Sequence, residues 1–298
     1  MIKNSLVSIL IPVYNREHIV SETIESAINQ TYTNIEIIIV DNCSTDGTWG
    51  VLQNYTAKDN RIKIFQNSVN VGPVLNWKRC IDEAKGEYSK ILFSDDLISE
   101  NFIEETLAVF DEETAFVLST IKVFTSGVEK NYSEKVQVNT VYSSSSYLQD
   151  VLLNNFYGFP VSPGCSMFRT SDLRTSLIID IPNTLNLDFK KFGAGNDLLL
   201  FLNTALLYSK IITANKAVAF FRSHNDSFTI SNKLSVYYDY SRFYFMEKHF
   251  PYYLSKFKTL TWLKMKKHGT INPIFQLLSG SYNYSYGIKF LFKKLINV

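Results

Sequence analysis

Residues 6–13 read Leu-Val-Ser-Ile-Leu-Ile-Pro-Val, and residues 35–41 read Ile-Glu-Ile-Ile-Ile-Val-Asp. A strand can be apolar at successive positions only when both of its faces are covered, as in a parallel sheet with helices on either side. Between the two runs, Val20, Ile24, Ala27 and Ile28 fall on one face of a helix by their spacing. The alternation then repeats. Ser44-Thr45-Asp46-Gly47 makes a turn and helix start, followed by Trp49, Leu52 and Tyr55 along one helix face. Ile62 to Phe65 is a short third strand, and Asn70-Val71-Gly72-Pro73 leads into a helix carrying Val74, Trp77, Ile81 and Ala84 that stops at Gly86. Tyr88 to Phe93 is a fourth strand, Phe102 to Phe110 a helix and Thr114 to Thr120 a further strand. This pattern predicts an α/β fold with a mainly parallel, doubly wound sheet and helices on both faces. Such sheets bind ligands beyond the carboxyl ends of their strands, and Asp41, Asp95 and Asp96 stand there.

The rest of the chain is less regular. Residues 121–142 read as irregular strands, Ser143 to Ser146 as a polar linker capping a helix over Tyr147 to Asn154, and Phe159 to Gly164 as a loop before a short strand at Cys165 to Phe168. Asn196 and Asp197 open a helix, Leu198 to Leu207, that is apolar nearly all round and therefore buried. Ala217 to Phe221 is a last strand, running into Arg222-Ser223-His224. The expected organisation is residues 1–120, residues 121–230 completing the same domain, and a basic, aromatic, helical extension over 231–298.

Composition bounds the function. With 298 residues, 46% of them hydrophobic, the chain has material for one large core or two small ones. Seven prolines and twelve glycines are too few for a collagen-like or disordered chain. Three scattered cysteines without ligand spacing indicate a reduced, cytoplasmic chain without structural zinc. No apolar run approaches the ~18 residues of a membrane span, and the N-terminus reads as a strand rather than a signal peptide, so a soluble or peripheral protein is expected.

The formal net charge of +2 conceals a split. Residues 1–247 hold all 28 acids and 21 bases, whereas residues 248–298 hold nine lysines, no arginine and no acid. Those lysines alternate with rings and aliphatics. A cap with a solvated basic face and a surface that docks on an anionic bilayer both fit this pattern. Nucleic acid fits poorly, because arginine, the residue suited to bidentate phosphate and base contacts, is missing.

The chemistry concentrates at strand ends. Asp95 and Asp96 follow a buried strand, where desolvation and mutual repulsion both oppose ionisation. A hard divalent cation, Mn²⁺ or Mg²⁺, relieves that penalty, and a diphosphate can complete its coordination. Read alone, the pair fits an acidic turn capping the next helix equally well. Pro12 is expected to end the pairing of the first strand, and Tyr14 offers a flat ring for a nucleobase. Asp41 or Asn42 can meet a base or ribose edge, with Ser44 to Thr48 building the turn.

Taken in order, VSILIPVYNRE at 7–17, IEIIIVDNCSTDGT at 35–48, NVGPVLNWKRCIDEAKGEY at 70–88 and FSDD at 93–96 resemble the family-2 glycosyltransferases of the GT-A fold. The resemblance spans residues 5–120 firmly, fades to about 230 and does not reach the tail. It implies a nucleotide pocket lined by Pro12, Tyr14, Asn15, Asp41, Asn42, Asn76, Ser94 and Asp95, with Asp95 on the ribose or metal, Asp96 ligating the metal below the diphosphate and His224 adding a late metal or diphosphate contact. The family's usual acidic pair after the second strand is Asp-Asn here. Many members carry an arginine just before the position of Asn76, where this chain has Leu75, so its contact either comes from elsewhere, with Lys78 as one source, or is missing. Asp197, at the head of the buried helix, takes the place of the acceptor-side base, and Gly193 and Gly195 are expected to leave room for the acceptor. Pro163-Gly164-Cys165 resembles the segment that shapes the acceptor or sugar side.

The expected activity is therefore an inverting, metal-dependent transfer from a nucleoside diphosphate sugar, UDP by preference, to a hydroxyl of a glycan or lipid-linked acceptor. The expected location is the cytoplasm or the inner face of the membrane. Two rivals have different signatures. A sugar nucleotidyltransferase commonly begins with a glycine- and basic-rich phosphate loop, and residues 11–17 hold no glycine and one arginine. A non-catalytic binding or scaffolding module has no need to keep Asp95, Asp96 and Asp197 together.

Overall fold

In a computed structural model describing residues 4–125, 128–131, 140–154, 158–223 and 234–268, the two apolar runs become β1 (Val7–Val13) and β2 (Ile35–Asp41), buried at every position. They pair in parallel from Val7↔Ile35 to Val13↔Asp41. β3 (Ile62–Gln66) continues the sheet beyond β2, and β4 (Tyr88–Ile91) lies on the other side of β1, both parallel. Alternate side chains leave a strand on opposite faces, and two cores result. Leu10, Ile38, Val40 and Ile91 enter one; Ile9, Ile11, Ile37 and Ile39 enter the other. The second core is closed by α1 (Val20–Ile28), α2 (Thr48–Thr56) and, after α3 (Pro73–Glu83), by α4 (Phe102–Ala108). Cys80 and Ile81 of α3 pack into the first core.

Pro12 does not end the pairing. Asn42 N–H donates to the Val13 carbonyl (2.9 Å) and Leu92 N–H to the Leu10 carbonyl (2.8 Å), so even-numbered residues of β1 direct their backbone groups toward β4. The β4 register stops at Leu10↔Ile91. The N–H that Pro12 lacks therefore falls where no ladder bond is needed, and β1 stays paired with β2 to its end.

Beyond β4 the sheet changes direction. After β5 (Leu97–Ile98), β6 (Thr114–Thr125), β7 (Val128–Asn131) and β8 (Val141–Ser143) come β9 (Ser166–Arg169) and β10 (Lys210–Arg222). The ten-stranded order is β3-β2-β1-β4-β9-β6-β10-β5, with β7 on β6 and β8 on β10. β9 is antiparallel to both β4 and β6, while β10 runs parallel to β6. The expected strand at Ala217 to Phe221 is the second half of β10, whose register shifts between Ala214 and Val218. Polar Asn215 and Lys216 at that irregularity hide the first half from a hydrophobicity reading.

The first core is completed from the second half of the chain. Ser143 Oγ accepts from Ser146 N–H (3.1 Å) and caps α5 (Ser144–Gln149), which continues as a π-helical turn over Asp150–Asn154. α6 (Thr170–Ser176), the short α7 (Phe189–Phe192), α8 (Asn196–Ala205), α9 (Ser235–His249) and α10 (Leu254–His268) follow. α8 is buried nearly all round, as its composition predicts. Tyr240, Phe243, Phe245 and Met246 of α9 and Phe257 of α10 share its core. No helix among the described residues is long and apolar enough to cross a membrane.

Candidate active site

The exits of β1 and β2 are tied into one rim by short polar side chains. Asn15 adopts a left-handed backbone (φ 50°), which asparagine tolerates better than most residues. Its Oδ1 accepts from Thr45 N–H (2.8 Å), while its own N–H donates to Ser44 Oγ (2.9 Å). The buried Asp41 carboxylate accepts from Ser44 N–H (3.2 Å) and Gln66 Nε2 (2.8 Å). Asn42 accepts from Asn67 Nδ2 and Val71 N–H (both 3.0 Å) and donates to Asn70 Oδ1 (2.9 Å). Asn76 donates to the Val40 carbonyl (3.1 Å) and accepts from Asn67 Nδ2 (3.0 Å). Asp41, Asn42 and Asn76 thus spend these polar atoms holding the 66–72 loop against the strand ends. Tyr14 stands out from the rim, 39% exposed, while Pro12 is buried beneath it.

Ser94, Asp95 and Asp96 occupy the turn after β4. Asp96 N–H bonds back to the Phe93 carbonyl (3.0 Å), and Thr23 Oγ1 donates to the Asp96 carbonyl (2.9 Å). The Asp96 side chain is buried, and Arg222 N–H donates to its Oδ1 (3.0 Å). Burial, and next the charge of Asp95, hold the Asp96 carboxyl well above the usual carboxylate range. Two arginines brace the turn. Arg16 Nη2 lies 3.6 Å from Asp95 Oδ2. Arg222 reaches the Asp95 carbonyl with Nε (2.9 Å) and Glu22 Oε2 with Nη2 (2.7 Å), its guanidinium lying over the Phe124 ring. Lys78, one source considered for the missing arginine contact, instead pairs with Asp82 one turn along α3.

Among the described residues no three His, Cys, Asp or Glu side chains converge as a metal cage. His224 lies outside the described residues. The hard oxygens of Asp95 and Asp96 fit a divalent cation that completes its shell with phosphate and water, since the buried Asp96 gains most from a neighbouring positive charge.

Lys90, in the middle of β4, is fully buried. Its ammonium donates to the Gly164 carbonyl and lies 4.6 Å from the Phe102 ring centre. Burial pushes its pKa down to about 7, opposed by the neighbouring Cys165 thiol and Asp96 carboxyl. Lys90 thereby clamps the Pro163–Cys165 turn onto the strand that ends in the two acids. The Gly164 Cα lies so close to Phe93 that an added Cβ would sit 3.1 Å from its ring.

Asp197 lies at the head of α8. Its Oδ1 accepts from Gly195 N–H (2.8 Å) and Leu198 N–H (2.7 Å), and its Oδ2 from Tyr238 OH (2.7 Å). Burial pushes its carboxyl up to about 6 against those donors. The glycines before it do not leave open space. A Cβ on Gly193 would lie 2.5 Å from the Trp77 ring, and one on Gly195 would overlap the Ser241 hydroxyl of α9. Both residues have positive φ, 70° and 87°, so glycine serves close packing and backbone shape together. Trp77 in turn packs on Phe93, ring centres 5.6 Å apart. Gly193, four residues before Asp197, and Phe93, the residue before Ser94, thus both contact Trp77.

With a polar rim and the Asp95-Asp96 turn at the carboxyl ends of parallel strands, the geometry meets the sequence comparison. Residues 8–177, more than half of the chain, match the model described as "Glycosyl transferase family 2". The chain belongs to glycosyl transferase family 2. An uncharacterized glycosyltransferase of Haemophilus influenzae is 39% identical over 102 residues, 34% of this chain and 41% of that protein. WfaP of Escherichia coli, named as a UDP-Glc:alpha-D-GlcNAc-diphosphoundecaprenol beta-1,3-glucosyltransferase, is 35% identical over 167 residues, 52% of this chain and 64% of WfaP. The chain spans about four tenths of the length of the first curated relatives it matches. S. aureus TarS 1–349, solved with UDP-GlcNAc, superposes with a TM-score of 0.64 at 20% identity, over 91% of this chain and 75% of that one. This glycosyl transferase family 2 chain thus has the expected GT-A fold, a mainly parallel sheet in which the short β9 runs antiparallel between β4 and β6.

Arg16, Lys90, Arg222 and Tyr238 were not among the sequence candidates. Lys90 had a visible signal, a charge inside a strand expected to be buried. Arg222 and Tyr238 had none, because their partners Glu22 and Asp197 are brought to them only by the fold.

Proposed function

We propose that this protein is an inverting glycosyltransferase that moves a sugar from a UDP-sugar to a hydroxyl of a glycan or lipid-linked acceptor. The observation that carries this reading is the run of contacts from Gly193, in the turn before Asp197, through Trp77 to Phe93, just before Asp95 and Asp96, with the Asp96 and Asp197 carboxyls both of raised proton affinity. TarS in complex with UDP-GlcNAc and with UDP supports the donor class, and the name of WfaP supports an acceptor carried on a diphospholipid.

In this reading Tyr14 stacks on the base, the Asn15 and Ser94 side of the rim meets the nucleotide, and Asp41, Asn42 and Asn76 fix the loop that borders it. Asp96, with Asp95 beside it and His224 as a further candidate ligand, would hold a divalent Mn²⁺ or Mg²⁺, which when bound would supply positive charge to stabilise the diphosphate leaving group. Arg16 orients Asp95. The acceptor hydroxyl forms its bond to the anomeric carbon as the bond from that carbon to the diphosphate oxygen breaks, and its proton passes to Asp197. One displacement inverts the anomeric centre and leaves no sugar on the protein.

The test is a screen of nucleotide sugars for Mn²⁺-dependent hydrolysis, followed by acceptor trials with the best donor. Asp197→Asn is expected to lower turnover by about 10²–10⁴-fold while UDP–Mn²⁺ binding, read by calorimetry, stays within threefold. Asp96→Asn is expected to lose that binding. Near-normal turnover in Asp197→Asn would remove it from the role. Pyrophosphate release from UTP and a sugar 1-phosphate, with no UDP released from any UDP-sugar, would favour the nucleotidyltransferase.

A further inference from the structure

We propose that Tyr238 is a positioning residue for the Asp197 carboxylate, so that α9 forms part of the acceptor side of the active site. The inference rests on Asp197 being the base. Oδ1 is occupied by two backbone donors from the turn of its own helix. Oδ2 takes one donor, Tyr238 OH at 2.7 Å, and a carboxylate oxygen has a second lone pair to offer. Tyr238 thus determines the direction in which Oδ2 can receive a proton.

Packing does not require this bond. α9 is already held by Tyr240, Phe243, Phe245 and Met246 in the core, and its backbone closes on Gly195, where an added Cβ would lie 3.0 Å from the Tyr237 carbonyl. Burial and the neighbouring Asp197 push the Tyr238 hydroxyl up, so it remains a donor throughout the working pH range. The charged and titratable groups that act on the carboxylate are Tyr238 and Arg242 on α9 and Tyr147 on α5, with Asp239 acting on Arg242 and Asp150 of the π turn on Tyr147. Of these, Tyr238 donates directly to the carboxylate. A donor to the anion favours the anion, so removing it raises the proton affinity of Asp197.

The experiment is a ¹³C NMR titration of the full chain labelled at aspartate Cγ, with the Asp197 resonance identified by its loss in Asp197→Asn. In Tyr238→Phe the titration midpoint is expected to rise by about one pH unit, a tenfold change in the ionisation constant. The acid limb of Mn²⁺-dependent UDP-GlcNAc or UDP-Glc hydrolysis should move with it, leaving the donor KM unchanged. A midpoint that stays put, with only a lower Tm, would overturn the proposal. If Tyr238→Phe fails to fold, 3,5-difluorotyrosine at position 238 keeps the ring and donates more strongly, so the midpoint should fall; an unmoved midpoint there overturns it equally. The base assignment fails separately, through normal turnover in Asp197→Asn.

Discussion

Lys90 shows how a single residue can oppose its own strand. A β4 position buried on both sides suits Ile or Val, yet it carries an ammonium whose pKa burial pushes down to about 7. The unfolded chain holds that proton up to about pH 10.4, so between these values the unfolded state binds more protons and stability rises with pH. Below pH 7 the full desolvation penalty remains. Replacing Lys90 by Met removes the penalty and also leaves the Gly164 carbonyl without its donor. The stability of Lys90→Met relative to wild type should therefore decline steadily from pH 7 to pH 10, read from urea midpoints. Parallel pH profiles would show that Lys90 is not penalised by burial. The sequence exposed this lysine as an interruption but not its purpose, because Gly164 lies far along the chain.

At the scale of elements, the alternation of apolar runs and helical faces was legible through α4, since each element there buries a stripe that its own spacing declares. The rim was legible for a related reason: Asn15, Asp41, Asn42 and Ser44 are short polar groups at strand exits, where backbone donors and acceptors need partners. The second half was harder to read. β9 is four residues long and pairs with strands on both sides, so local pattern carries little of its identity. The meeting of α8 and α9 is also invisible locally, and Gly195 is where it can be tested. Ala at 195 must adopt φ 87° and place its methyl on Ser241 and 3.0 Å from the Tyr237 carbonyl. Gly195→Ala is expected to destabilise the protein by more than about 1 kcal/mol, seen as a lower thermal midpoint. Ser241→Ala in the same chain should recover only part, since the backbone strain and the Tyr237 contact persist. Full recovery would place the whole effect at the hydroxyl.

Across the whole molecule, charge and packing divide the C-terminal region. Phe257 and Leu260 are buried, and Phe257 joins the first core at the start of α10. Tyr252 and Tyr253 are exposed, at 89% and 50%, beside the start of a sequence rich in lysine. We propose that this basic region contacts the anionic inner face of a membrane, where each lysine adds about 1 kcal/mol. Truncating from residue 248 would uncover the core, so charge removal is the cleaner test. Changing Lys264, Lys266, Lys267, Lys289, Lys293 and Lys294 to Gln should reduce sedimentation with phosphatidylserine vesicles while leaving Mn²⁺-dependent donor hydrolysis intact. Undiminished sedimentation would leave the cap as the whole explanation.

The placement of β9 also shapes how the chain reaches its native state. β4 ends at Ile91, and the strand that satisfies its open edge begins only at Ser166. During synthesis the emerging N-terminal half must wait, one flank unsealed, until that distant segment leaves the ribosome. Long-range closures of this kind slow the search and prolong exposure of sticky strand edges. Translation speed across residues 92–169 and access to holdase chaperones therefore bear on the yield of this protein more directly than the strength of either core.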